Sequence, residues 1–166
     1  GSYLSFAPHF YRLSVSTHDL DFDPVDDLTG SHDYRELFNW ISENSNQTDV
    51  VAVNRYCLVA SELPTDCLAL WNLTSALSGR QMLAEGLYPP GSQILNSERE
   101  HRRVLIESFV KNPNTANYQE LQKYGVRFVL VDYAISAFSE SRTWAPFATI
   151  KFKNNAGLIL ELTSKY

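Results

Sequence analysis

The stretch Leu121-Gln122-Lys123-Tyr124-Gly125-Val126-Arg127-Phe128-Val129-Leu130-Val131-Asp132 decides the fold. Tyr118, Leu121 and Tyr124 recur at helical spacing and stop at a single glycine. The six residues that follow are nearly all apolar, and three of them are β-branched, the pattern of a strand buried on both faces. A helix, one glycine and a buried strand form the closing half of a βαβ unit, whose strands run parallel.

Further units of this kind lie upstream. Tyr34, Leu37, Phe38 and Ile41 make one apolar helical face, with Ser31 or Asp33 as its cap. Asn44-Ser45-Asn46 ends that helix, and Val50-Val51-Ala52-Val53 follows as a buried strand. A second helix is predicted over Leu68 to Leu77, stopped by Gly79. Gln81-Met82-Leu83-Ala84 then reads as another buried strand. Residues 86–96 form a loop, and Ser97-Glu98-Arg99-Glu100 is a capping box opening a helix with Val104, Leu105 and Phe109 inward. At the C-terminus Ala148–Lys153 alternates, Asn154-Asn155-Ala156-Gly157 turns, and Leu158–Leu162 returns as a hairpin. The expected fold is therefore α/β, a layered sheet with parallel core strands near 50, 81 and 127, flanking helices and a C-terminal antiparallel hairpin. Residues 31–166 form one domain. Residues 1–30, aromatic and then acidic, are a lead-in packed on it, with a short edge strand over Phe10–Val15.

Composition narrows the function. The 166 residues are 44% hydrophobic and 20% charged, ordinary for a globular chain. Nine acids against two arginines give residues 1–50 a net charge of −7, and the remainder carries +2. With no basic stripe, nucleic acid is not an expected partner. No apolar run reaches the roughly 18 residues a membrane helix needs. The chain opens Gly1-Ser2 rather than with Met, as a cloning remnant does, so any targeting or membrane segment is expected to lie upstream and its absence here says nothing about location.

Motifs for known chemistry are missing. The seven glycines make neither GxGxxG nor GxxxxGK[ST], and there is no GxSxG elbow. His9, His18, His32 and His101 are isolated. Asp19-Leu20-Asp21-Phe22-Asp23 invites a Ca²⁺ or Mn²⁺ reading, but Pro24 and Gly30 stand where an EF-hand loop needs Gly and Glu. An exposed acidic loop is the better reading, and neither metal nor cofactor is predicted. The triplets at Asn46 and Asn72 match glycosylation sequons, which mean nothing in a bacterial protein.

Ligands of open α/β sheets bind beyond the carboxyl ends of the parallel strands. Those ends are marked by Asn54, Arg55, Glu85, Asp132 and Tyr133, the candidate ligand-binding residues. Asp132 stands where such enzymes place an acid, but a strand-ending Asp capping a turn is the commoner case. Trp144, in a loop before Pro146, joins them because an indole can cover the apolar face of a sugar. Trp40 and Trp71 are assigned to the core. Cys57 and Cys67, ten apart, read slightly better as free thiols than as a local disulfide. A disulfide implies an oxidising compartment and stabilises by roughly 2–3 kcal/mol.

Three segments in order carry a family resemblance: Glu36-Leu37-Phe38-Asn39-Trp40-Ile41-Ser42-Glu43-Asn44, then Leu77-Ser78-Gly79-Arg80-Gln81-Met82-Leu83, then Leu121–Val131. Over roughly 33–132 the chain resembles the C-terminal extracytoplasmic domain of bacterial polytopic membrane proteins of the GT-C glycosyltransferase type. In that family the catalytic aspartate lies between membrane helices, so the resemblance places no catalytic residue here. It implies a non-catalytic domain outside the cell membrane. Its partners are the membrane-embedded remainder of the parent chain and a cell-envelope saccharide. The alternatives are a free-standing α/β enzyme or small-ligand module using Asn54, Arg55, Glu85 and Asp132, and a structural or protein-interaction domain.

Overall fold

The computed structural model describes residues 32–63, 67, 70–85, 96–136 and 144–164. The lead-in over 1–30, with Asp19–Asp23, His9, His18 and the strand expected at Phe10–Val15, lies outside them. In chain order the elements are α1 (His32–Asn44), β1 (Val50–Val53), α2 (Leu73–Ser78), β2 (Gln81–Met82), α3 (Asn96–Lys111), α4 (Thr115–Lys123), β3 (Val126–Asp132), β4 (Ala148–Lys153) and β5 (Gly157–Leu162). The five strands form one sheet in the order β2-β1-β3-β5-β4. β1 runs parallel to β2 and β3, while β5 pairs antiparallel with both β3 and β4. This is the expected α/β sheet with parallel core strands and an antiparallel hairpin at one edge.

Alternation along the strands divides the core into two layers. Val51, Val53, Phe128, Leu130 and Ile159 face Tyr34, Leu37, Phe38 and Ile41 of α1, together with Trp71. Ala52, Val129, Val131, Leu158 and Leu160 face the opposite layer, built from Leu105, Ile106, Phe109 and Val110 of α3 and Tyr118 and Leu121 of α4. Every second residue of a strand points to the same side, so a continuously apolar strand feeds both layers. Gly125 supplies the left-handed turn, φ +74°, that lets α4 stop and β3 begin within two residues.

Several local expectations are corrected. The helix expected over Leu68–Leu77 is only Leu73–Ser78, and Trp71 precedes it, although its ring is buried as assigned. Strand β2 is two residues long at the sheet edge, neither of them buried, because Leu83 and Ala84 turn into the core just beyond it. Helix α3 starts at Asn96, which puts Ser97 inside its first turn rather than at the cap. Val104 is 45% exposed; the buried face of α3 runs one position over, through Leu105, Ile106, Phe109 and Val110. A capping box occurs instead at α4, where the Asn114 side chain accepts from the Asn117 amide and Asn117 returns a bond to the Asn114 amide. Trp40 is half-buried, stacked on Phe152 at 6.2 Å and edge-on to Phe128. Among the described residues no helix is long and apolar enough to cross a membrane.

The motif segments behind the resemblance have structural work to do. In Leu77-Ser78-Gly79-Arg80, the guanidinium of Arg80 donates to the Ser42 and Ser45 carbonyls and to Ser45 Oγ. It thereby closes the C-terminal end of α1, where unpaired carbonyls favour a cation.

Candidate functional site at the strand ends

From β1 the chain moves to one side to make β2, then crosses back to lay β3 on the other side. The order of strands reverses between β1 and β3, and a sheet of this kind opens its ligand crevice at that point. Asn54 and Arg55 directly follow β1, and Asp132 is the last residue of β3. The topology therefore brings together three of the six residues expected to bind ligand.

They meet as a closed, buried knot. Asp132 is 1% exposed and Arg55 6%. Arg55 Nη1 donates to Asp132 Oδ2 at 3.0 Å and to the Tyr34 hydroxyl at 2.8 Å. Tyr34 in turn donates to Asp132 Oδ1 at 2.7 Å. The other Arg55 donors reach main-chain carbonyls, Nε to Cys57 at 3.2 Å and Nη2 to Leu58 at 2.5 Å. The guanidinium lies over the Trp71 ring, 3.8 Å from its centroid. Asn54 completes the knot: its Oδ1 accepts from the Asp132 amide at 2.7 Å, and its Nδ2 donates to Ser136 Oγ at 3.2 Å. Asp132 Oδ1 also accepts from the Ala134 amide at 2.8 Å, the turn-capping contact that sequence reasoning offered for it. Burial, and then the charge of Asp132, push the Tyr34 phenol far above its ordinary pKa, so it remains a donor.

The chemical consequence is plain. Asp132 Oδ1 accepts from Tyr34 and the Ala134 amide and Oδ2 from Arg55, and at 1% exposure the carboxylate presents nothing at the surface. Arg55, only 6% exposed, directs four of its five N–H donors to Asp132, Tyr34 and two carbonyls, with the Trp71 indole against its face. Arg55 and Asp132, named as candidate ligand-binding residues, are thus turned toward each other rather than toward solvent: burying an ion pair is tolerable only when its remaining partners are supplied internally.

The other three candidates take no part in the knot, although Tyr133 adjoins it. Glu85 is three residues beyond the last pair of β2 and turns toward α2, where both carboxylate oxygens accept from the Ser75 amide, at 3.2 and 3.3 Å. It serves as a distant cap for a six-residue helix whose own Asn72 makes no side-chain cap. The cavity beside it, lined by Tyr56, Ala84 and Arg103 among others, is about 20 Å³, room for little more than a water molecule. Tyr133 is half-buried and borders an open groove of about 410 Å³ with Asp33, Tyr34, Ala134, Asn155 and Ala156. Trp144 is 6% exposed and packs in the α3–α4 layer, so its indole is part of the core rather than displayed at the surface. A residue before Pro in a loop is only expected to be exposed; here the fold needs its bulk.

Tyr34 and Trp71 complete the knot, although their spacing marks them only as core. Their apolar surface satisfies that reading, and one hydroxyl and one ring face contribute the rest. Cys57 and Cys67 form a disulfide with Cα atoms 5.3 Å apart, which corrects the lean toward free thiols. With the sulfurs joined, the cluster of Cys57, Cys67 and Glu62 has no thiolate to hold a metal. The cluster His32, Asp33 and Glu36 lies at the surface start of α1, where His32 and Glu36 form an ordinary i,i+4 pair at 3.5 Å.

Burial raises the Glu85 carboxyl above the usual range, with the bonds from Ser75 and Thr74 opposing it. Its raised folded-state pKa makes its contribution fully present at acid pH and lost as pH rises through that value. Glu85→Gln is therefore expected to gain stability relative to the parent between about pH 4 and pH 7. Denaturant midpoints at the two pH values measure this, and a gap that narrows as pH rises contradicts it.

No family model and no curated protein matches the chain. Among solved structures, it is similar to the C-terminal globular domain of an oligosaccharyltransferase from Archaeoglobus fulgidus, with 10% identity and a TM-score of 0.46, over 80% of this chain and 98% of that one.

Proposed function

We infer that this chain is a non-catalytic extracytoplasmic domain of a bacterial multi-pass membrane protein of the GT-C glycosyltransferase type. Its role there is to support the membrane-embedded remainder and to help bind a partner or a cell-envelope saccharide. The observation that carries the non-catalytic reading is the knot at the β1–β3 crevice, where the residues an α/β enzyme would expose are spent on each other. The disulfide supports the location, since such bonds persist in oxidising compartments and are rare in the cytosol. The sequence resemblance supplies the glycosyltransferase connection.

Two measurements test this. Given a lipid-linked sugar donor and an acceptor, the chain alone is expected to transfer no sugar; turnover defeats the non-catalytic reading. The full-length protein, taken from its own membrane and unfolded without reductant, should show no reactive thiol from Cys57 or Cys67. Two free thiols there contradict the extracytoplasmic location and leave the fold untouched.

A further inference from the structure

The disulfide and the buried ion pair are adjacent, and their connection runs through the main chain. Two of the four acceptors that hold Arg55 are the carbonyls of Cys57 and Leu58, both within the ring the disulfide closes. The wall against which the guanidinium lies, Trp71, follows Cys67 by four residues. The returning chain is tied to the outgoing one by a bridge between Cys57 and Leu70 and by the Trp71 amide donating to the Tyr56 carbonyl at 2.9 Å. The disulfide acts with that bridge and hydrogen bond to hold together the carbonyls and the ring that frame Arg55.

We propose that the Cys57–Cys67 pair is a redox-sensitive latch on Arg55, whose reduction loosens the strand-end knot while the sheet stays folded. Cys57 is 3% exposed and Cys67 only half-buried, so an incoming thiolate reaches the Cys67 sulfur. The reductant is a dithiol. Its first thiolate attacks Cys67 Sγ, forming a mixed disulfide, and Cys57 leaves as a thiolate that takes up a proton. Its second thiol displaces Cys67, so the pair gains two electrons and two protons and the dithiol becomes a disulfide. The 57–67 ring is then open, and the carbonyls of Cys57 and Leu58 are no longer held opposite Trp71. Arg55 keeps Asp132 and Tyr34 but loses its fixed frame, and the crevice between β1 and β3 becomes the least protected part of the domain. This inference concerns the chain itself and holds in whatever compartment it resides.

Hydrogen exchange resolved by residue, on the chain with and without a dithiol reductant, tests the latch. Reduction is expected to speed exchange at the Trp71, Asp132 and Ala134 amides, which bond to Tyr56, Asn54 and Asp132, by at least tenfold. Leu130 and Leu160, in the middle of the sheet, should change less than twofold. The double variant Cys57→Ser/Cys67→Ser should reproduce that pattern without reductant, and Arg55→Lys should reproduce the Asp132 and Ala134 part with the disulfide intact. If the acceleration stays between residues 57 and 67, the disulfide does not reach the knot and the proposal fails. If all amides accelerate together, the bond is a staple for the whole fold, and the latch is equally refuted. Because the reductant arm uses the parent sequence, the test does not depend on either variant folding.

Discussion

Arg55→Ala is expected to destabilise the domain by about 3–5 kcal/mol, because it leaves Asp132 charged and 1% exposed with its cation gone. Loss of the stacking contact with Trp71 adds to this. Neither Lys nor Met is an adequate replacement: Lys cannot reach two carbonyls, a phenol and a carboxylate at once, and Met satisfies none of them. The double variant Arg55→Ala/Asp132→Ala should lose less than the sum of the two single ones, by about 1–3 kcal/mol, since removing both partners leaves no orphaned charge. Tyr34→Phe is the milder probe and should lose about 1.5–3 kcal/mol, the range for hydrogen bonds to charged groups. Urea or guanidinium unfolding measures all four. Arg55→Ala within 1 kcal/mol of the parent would show that water reaches the pair, and with it that the crevice is open rather than sealed.

Gly157→Ala is the second large effect, about 3 kcal/mol at the upper end of the overpacking range. A Cβ at this position would lie 2.4 Å from the Val131 carbonyl oxygen and 3.3 Å from Leu37 Cδ1. The Leu37 methyl can turn aside, but the Val131 oxygen belongs to the backbone of β3, and no rotamer moves it. Gly157 pairs with Asp132 in the β3–β5 ladder, so the strain falls beneath the knot itself. Thermal unfolding of the variant, with the chemical shift of the Asp132 amide as a local reporter, should show both the loss and its place. An unchanged midpoint would mean that β5 sits farther from β3 than the observed register places it.

Much of the fold is legible in the residues. Val126–Val131 reads as a doubly buried strand because both of its faces are apolar, and both faces are covered by helices. Tyr34, Leu37, Phe38 and Ile41 share a helical face because residues three and four apart lie on one side of a helix, and that face is buried as read. Gly125 marks the boundary of α4 and β3 because few other residues adopt its conformation. Such features are local: spacing, chirality and burial act over a few neighbours, and the one-dimensional pattern contains them.

The site was legible only in its position. Sequence order and the rule for strand ends pick out Asn54, Arg55 and Asp132, yet nothing in the pattern says whether such groups face solvent or each other. That depends on Tyr34, about a hundred residues upstream of Asp132, reaching the same carboxylate, and on a ten-residue separation closing as a disulfide beneath Arg55. Trp144 and Val104 were misplaced for a related reason. Whether a loop tryptophan or a helical valine is buried depends on which gap the remote layers leave, not on its neighbours in the chain. Hydrophobic periodicity thus determined the strands, helices and their order; tertiary packing alone decided that the polar groups gathered at the strand ends are spent on holding the molecule together. The physical reason is desolvation: once the layers close over them, charged groups can remain only by pairing, and their partners are supplied by segments far apart in the chain.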